Sequence, residues 1–266
     1  MTMVTSASRP PKSSGNDNVV RAQAVAKVVG EMKKLTNSCV LLDEWAEFVS
    51  LNKYELIAAF KRLTGIPPIA FHNAEKLEIA KRLLVFEQIS VTEVCFELGF
   101  QSVGSFVSKF TNCVGVSPGG YARVMGSTGF ASILVGALQK SNRARNSGSG
   151  IRIRFELPVS QRALSLIAAV FPRPFPSGYP AEWRFVPPFC RVTTIGDGLT
   201  GYCLAASFPV LPRLAELVNF RPALIGRQAL DITDIDIRIE LRTPTIFDPP
   251  ITLAVPALFS RYASHQ

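Results

Sequence analysis

One apolar pattern is written twice between Asp43 and Arg123, and it limits the folds open to this chain more than any other feature. The first copy runs Trp45-Ala46, Val49, Leu56, Phe60, Gly65-Ile66, Pro68, Phe71; the second runs Val94-Cys95, Leu98, Phe106, Phe110, Gly115-Val116, Pro118, Tyr121. The copies stand 49 positions apart at the start and 50 from Leu56 and Phe106 onward, so the second turn holds one extra residue. Apolar residues at helical spacing, with Gly-x-x-Pro closing each copy, describe two similar helical units in tandem. Two units are too few for a solenoid, so the pair itself is the functional object.

Local signals set the element boundaries. Asp43 to Val49 reads as a short helix, Ser50-Leu51-Asn52 as a tight turn with Asn52 as N-cap, and Lys53 to Leu63 as a second helix that Gly65 ends. Two short helices joined by a three-residue turn make a helix-turn-helix. Pro67-Pro68 opens a longer helix, Ile69 to Glu87, with Leu77, Ala80, Leu83 and Leu84 on its buried face. A helix of about 19 residues spans about 28 Å, close to the ~34 Å turn of B-DNA. Ser90-Val91-Thr92-Glu93 fits a capping box for the second unit, whose first helix stops at Gly99. The second helix of that unit covers Val103 to Val114, and Ser117-Pro118 starts a last short helix to Met125. Ahead of both units, Val20, Ala24, Val28 and Met32 mark an amphipathic helix over Val19 to Leu35.

Charge points to an anionic partner. The chain holds 29 Lys+Arg against 20 Asp+Glu, net +9, which favours nucleic acid ahead of membrane. The five cysteines, Cys39, Cys95, Cys113, Cys190 and Cys203, have irregular spacing and no Cys-x-x-Cys, so free thiols in a reducing compartment are expected. His72 and His265 have no metal-ligand spacing, and no cofactor is expected. The polar N-terminus lacks an apolar signal region, and the longest apolar run, Gly129 to Leu138, is too short to span a bilayer. All ten lysines lie before residue 146, and fourteen of the nineteen prolines lie after it. Composition turns over at Ser141 to Gly150, which is linker-like. The expected organisation is a disordered tail over 1–18, a helical domain over 19–126, a linker over 127–150 and a second domain over 151–266.

The run Phe60-Lys61-Arg62, Thr64-Gly65, Lys81-Arg82-Leu83-Leu84, Gly99-Phe100 and Gly115-Val116-Ser117-Pro118, with Tyr121 and Arg123 at its end, resembles the DNA-binding domain of AraC/XylS-type transcription regulators. The resemblance covers about Val19 to Gly126. It implies two helix-turn-helix units joined by a long helix, each placing its second helix in the major groove of a promoter. It also implies a bacterial, cytoplasmic protein at the nucleoid. Double-stranded DNA is the implied partner, RNA polymerase and a small-molecule effector of the C-terminal domain are further ones, and no membrane is involved.

On that resemblance the base-contacting positions are Tyr54, Ile57 and Ala58 in the first unit and Gln101, Ser102, Val103, Gly104 and Ser108 in the second. The phosphate-contacting positions are Lys53, Lys61, Arg62, Ser105, Lys109 and Asn112. The faces depart from the family's usual polarity. Bidentate base reading needs Arg, Asn, Gln or Lys, and the central faces carry none, Val107 included. Gln101 and Ser102 are the best polar candidates, so phosphate contacts and DNA shape are expected to carry more of the affinity. Lys76, Lys81 and Arg82 are expected on a solvated face of the linking helix, His72 as an exposed helix residue, and Cys95 as a small buried residue.

The second half reads as strands. Ile151 to Leu157 and Asp234 to Leu241 alternate strictly, and Ala163 to Phe171, Trp183 to Phe185, Arg191 to Thr194 and Gly201 to Ala206 are apolar runs between Pro or Gly turns. Leu211 to Val218 fits a short helix. Asp197-Gly198 with Gly201 to Ala206 weakly resembles a transthyretin-like, carboxypeptidase-regulatory-type β-sandwich. The expected fold class is therefore an all-α tandem helix-turn-helix domain, two units joined by a long helix, followed by a mainly β, Ig-like sandwich. No nucleophile, paired-carboxylate or metal constellation occurs here, so an enzyme is not expected. The alternative to a regulator is a helix-turn-helix protein-interaction module with weak or non-specific DNA binding, suggested by the apolar outward faces.

Overall fold

The computed structural model describes residues 15–34, 41–127, 150–158, 164–208, 213–254 and 258. The tail 1–14, Cys39, the apolar run 129–138, most of the expected linker and His265 lie outside them. The helical half runs α1 (Gly15–Lys34), α2 (Leu42–Phe48), α3 (Lys53–Thr64), α4 (Pro68–Arg82), α5 (Val91–Glu97), α6 (Val103–Val114) and α7 (Pro118–Met125). The β half runs β1 (Ile151–Glu156), β2 (Ser165–Phe171), β3 (Glu182–Val186), β4 (Val192–Ile195), β5 (Gly201–Phe208), α8 (Leu214–Val218), β6 (Ile225–Leu230) and β7 (Asp236–Glu240).

The turn chemistry explains where the helices start and stop. The Asn52 side chain accepts from the Glu55 amide at 2.9 Å, and the Glu55 carboxylate accepts from the Asn52 amide at 3.2 Å. Ser90 and Glu93 repeat that exchange at the start of α5, at 3.2 and 3.0 Å. Gly65 and Gly115 end α3 and α6 at φ +82° and +90°, a left-handed conformation that a side chain would strain. Beyond Arg82 the linking helix widens into a π-helical turn, Leu83–Glu87, and Gln88 closes it at φ +54°.

Helix α1 begins at Gly15, inside the stretch expected to be disordered, with Asp17 in its first turn where the helix dipole favours an acid. Its buried stripe is Ala24, Val25, Val28, Val29 and Met32, whereas Val20 is exposed. The stripe follows the 3.6-residue period, taking adjacent residues on successive turns. It packs with Trp45, Leu56, Phe60 and Phe71 into the core of the first unit. Phe106, Phe110 and Tyr121 form an aromatic row in the second, with centroids 5.8 Å apart at each step.

The β half contains two sheets, ordered β4-β1-β7 and β3-β2-β5-β6. β1 pairs antiparallel with β4 and parallel with β7, Ile153 lying opposite Thr193 and Ile237. β1 and β7 bury alternate residues, as their sequences lead one to expect. One apolar cluster joins Ile151, Ile153, Ile237 and Ile239 of one sheet to Leu166, Ala168, Val170 and Cys203 of the other. β2 is buried at every position because both its faces are covered. Its Ile167 belongs to the cluster that holds Leu77, Phe106 and Phe110, together with Phe185, Phe208, Val218, Phe220 and Ala254. The helical and β halves therefore share a core.

The packing around α4 overturns two expectations for it. Lys76 and Lys81 do not form a solvated face with Arg82; both are buried, and only Arg82 is exposed. The Lys81 Nζ lies 2.6 Å from a Glu78 carboxylate oxygen and donates to the Thr252 carbonyl at 3.4 Å. Lys76 donates to the Leu98 carbonyl at 2.9 Å. His72 is likewise buried, edge-on to Trp45 at 5.2 Å.

Candidate nucleic-acid interface

α3 and α6 are the second helices of the two helix pairs, each 12 residues long. Each buries one side, Leu56, Ala59 and Phe60 in α3 and Phe106, Phe110 and Val114 in α6. The opposite sides stay open. Tyr54 is 80% exposed, Ala58, Gln101, Ser102, Gly104 and Ser108 are exposed, and Ile57, Val103 and Val107 are half-buried. All eight positions expected to meet bases thus reach the surface of these two helices or of the turn before α6.

Hydrogen bonding separates the two N-terminal serines of α6. The Ser102 hydroxyl oxygen accepts from the Ser105 amide at 3.2 Å, which caps the helix and leaves its own proton available. The Ser105 hydroxyl donates to the Ser102 carbonyl at 2.9 Å, so its proton is engaged locally. Among the expected phosphate partners, Lys61 and Arg62 are exposed in the last turn of α3. Lys53 is paired with Asp43 at 3.2 Å. Lys109 is half-buried and sits 5.7 Å from the Phe100 ring centroid, which Lys76 approaches at 5.6 Å. The Asn112 side chain is exposed, and its backbone carbonyl accepts from the Ser177 hydroxyl at 3.3 Å, at the end of α6 that meets the β half.

A groove of about 350 Å³ runs between the units. Trp45 and His72 line it on one side, and Phe100, Gln101, Ser105 and Lys109 on the other. Three expected contact residues therefore line one groove. Phe100 was legible as part of the Gly-Phe turn, but its place between two lysines was not.

Among the described residues, no group of three or more His, Cys, Asp and Glu is placed to hold a metal ion. No described helix is long and apolar enough to cross a membrane. The four described cysteines form no disulfide with one another, and Cys95 is buried with its thiol directed at the Phe100 carbonyl.

Residues 45–123 match the family described as a helix-turn-helix domain. The chain is 33% identical over 82 residues to the HTH-type transcriptional regulator MtrA of Neisseria gonorrhoeae, covering 31% of this chain and 27% of that one. It is 27% identical over 85 residues to an uncharacterized HTH-type transcriptional regulator, YdeC, of Bacillus subtilis, covering 32% of this chain and 29% of that one. The chain thus spans less than a third of the length of either relative. Among solved structures, the C-terminal domain of AraT, a response regulator from Geobacillus stearothermophilus, is 25% identical, with 38% of this chain and 84% of that one covered and a TM-score of 0.36. The class defined by these helices and this match is the helix-turn-helix domain. Within it, residues 45–123 are similar to the corresponding part of HTH-type transcriptional regulators, in keeping with the AraC/XylS-type resemblance.

Proposed function

We propose that the chain is a sequence-specific DNA-binding transcription regulator that inserts α3 and α6 into successive major grooves of a promoter. The observation that carries this reading is that both helices keep an open outward face while the β half packs against the same domain. In this reading residues 19–126 bind DNA, 127–150 form a linker and 151–266 are a regulatory module of Ig-like sandwich type. Gln101, Ser102 and Ser108 supply polar base contacts, Tyr54 donates one bond or packs on a thymine methyl, and Ile57, Ala58, Val103 and Gly104 supply apolar and shape contacts. Lys61 and Arg62 lead the phosphate contacts; Lys53, Ser105 and Lys109 each have a local partner to give up or share, and the Asn112 backbone carbonyl is bonded to Ser177 while its side chain is exposed. RNA polymerase and an effector are the further partners of this reading. The place this reading assigns to an effector is the hollow of about 660 Å³ that Leu63 and Thr64 share with Ile167, Phe171, Phe220 and Arg227.

A promoter duplex titrated with the full chain at several salt concentrations tests the reading, with affinity expected to fall steeply as salt rises. Replacing Lys61 and Arg62 together by alanine is expected to lower the slope of log affinity against log salt by about 2, roughly one per phosphate contact. An unchanged slope would remove both from the interface. The second reading, a protein-interaction module, is favoured by one observation, the apolar character of the open faces at Tyr54, Ile57 and Val103. It predicts a salt-insensitive partner and no promoter preference.

A further inference from the structure

The β half touches both recognition helices at the same end. At the C-terminus of α6, three carbonyls have run out of helical partners. Ser177 donates its hydroxyl to Asn112 O at 3.3 Å, and the Gly178 amide donates to Cys113 O at 3.0 Å. The Thr252 hydroxyl donates to the same Cys113 carbonyl at 3.1 Å, and the Ala254 amide to Val114 O at 3.1 Å. The approach is close enough to require glycine: at φ +74°, a Cβ on Gly178 would stand 2.9 Å from Asn112 O. At the C-terminus of α3, the Arg227 guanidinium lies beside Gly65 and donates to Pro174 O at 2.8 Å. Phe175 packs against the core of the first unit. Pro174, Phe175, Ser177 and Gly178 belong to one loop, residues 172–181, between β2 and β3. Within four residues of chain, this loop meets both units.

We infer that the β2–β3 loop is a bracket that fixes the placement of α3 relative to α6, and with it the half-site spacing the protein accepts. The inference rests on the reading of the chain as a regulator with two groove-reading helices. Apart from the bracket, the units are tied through the linking helix, whose π-helical turn at Leu83–Glu87 interrupts its regular bonding, and through the segment after β7, where Phe247 packs against the first unit and Thr252 and Ala254 bond the end of α6. Adding one base pair between half-sites turns them by about 35° about the duplex axis. A rigid pair meets that change with lost contacts, and a loosened pair follows it.

The test uses the full chain and a duplex recovered by selection, together with versions carrying one base pair more or less between the half-sites. The unaltered protein is expected to lose about 30-fold in affinity on either change, comparable to the loss of a base-pair contact. Phe175→Ala and Gly178→Val are expected to bind the original spacing within about 10-fold of wild type and to discriminate between spacings by less than about 5-fold. If Gly178→Val does not fold, by circular dichroism, Ser177→Ala removes the loop's hydroxyl bond to Asn112 O alone and is expected to relax spacing in the same direction. Folded variants that discriminate as strictly as wild type would overturn the bracket. A wild-type chain that prefers no DNA would instead remove the reading beneath it, and the bracket's function with it.

Discussion

Lys81→Ala is expected to destabilise the protein by about 3–5 kcal/mol, the usual cost of leaving one member of a buried ion pair alone. Lys81 is completely buried, its Nζ is 2.6 Å from Glu78, and its other partner is a carbonyl of the β half. The loss falls where the helical and β halves meet. Removing both charges, as in Glu78→Leu/Lys81→Met, is expected to be neutral or mildly stabilising, because both desolvation costs disappear together. Urea unfolding of the single and double variants separates the outcomes. The pH dependence has a definite sign. Burial raises the Glu78 carboxyl above its usual range, and Lys81 acts against that shift. A raised acid holds its proton to higher pH in the folded state than in the unfolded one, so its charged form weakens the fold as pH rises through the folded value. Without Lys81 the opposing influence is gone and the penalty grows. The deficit of Lys81→Ala is therefore expected to be smaller at pH 5 than at pH 8. A deficit independent of pH would mean that Lys81 acts by packing alone.

Phe110→Ala is expected to cost about 3–5 kcal/mol, the range for emptying a buried aromatic site. Phe110 has no solvent exposure and stands between Phe106 and Tyr121, with both centroids at 5.8 Å. Typical domains have about 5–15 kcal/mol in all, so the loss is a large share of the total. On the proposed reading it should also weaken promoter binding at the half-site assigned to α6 before that assigned to α3. Ser108→Ala, on the open side of the same helix, is expected to leave stability within about 0.5 kcal/mol of wild type. Urea midpoints for the two variants check the contrast.

The helical half was legible because its punctuation is local. Asn52, Gly65, Ser90, Gly115 and Ser117 act on residues within a few positions of themselves, and each caps the helix its neighbours predict. The strands of the β half were found where side chains alternate, in β1 and β7, or where an apolar run stands between Pro or Gly turns, in β2 to β5. β6 was missed because Ile225-Gly226-Arg227-Gln228-Ala229-Leu230 has neither alternation nor β-branched enrichment. Lys76, Lys81 and His72 were misread for a different reason. Their surroundings come from Leu98, Thr252 and Trp45, which lie 22, 171 and 27 positions away, and no helical pattern within α4 records them. The open faces were legible by position, since they lie opposite the apolar stripe. The engagement of the Ser105 proton and the closeness of Asn112 to the β half were not, because both depend on folded geometry.

The central claim is that α3 and α6 together select a DNA sequence. The most direct measurement is competition: fragments recovered by the full chain from a genomic library are titrated against random duplexes of equal length, at physiological salt. The account predicts a preference of about 1,000-fold or more for the recovered fragments, the low end of specific over non-specific binding. Equal affinity for recovered and random duplexes at every salt concentration would contradict it.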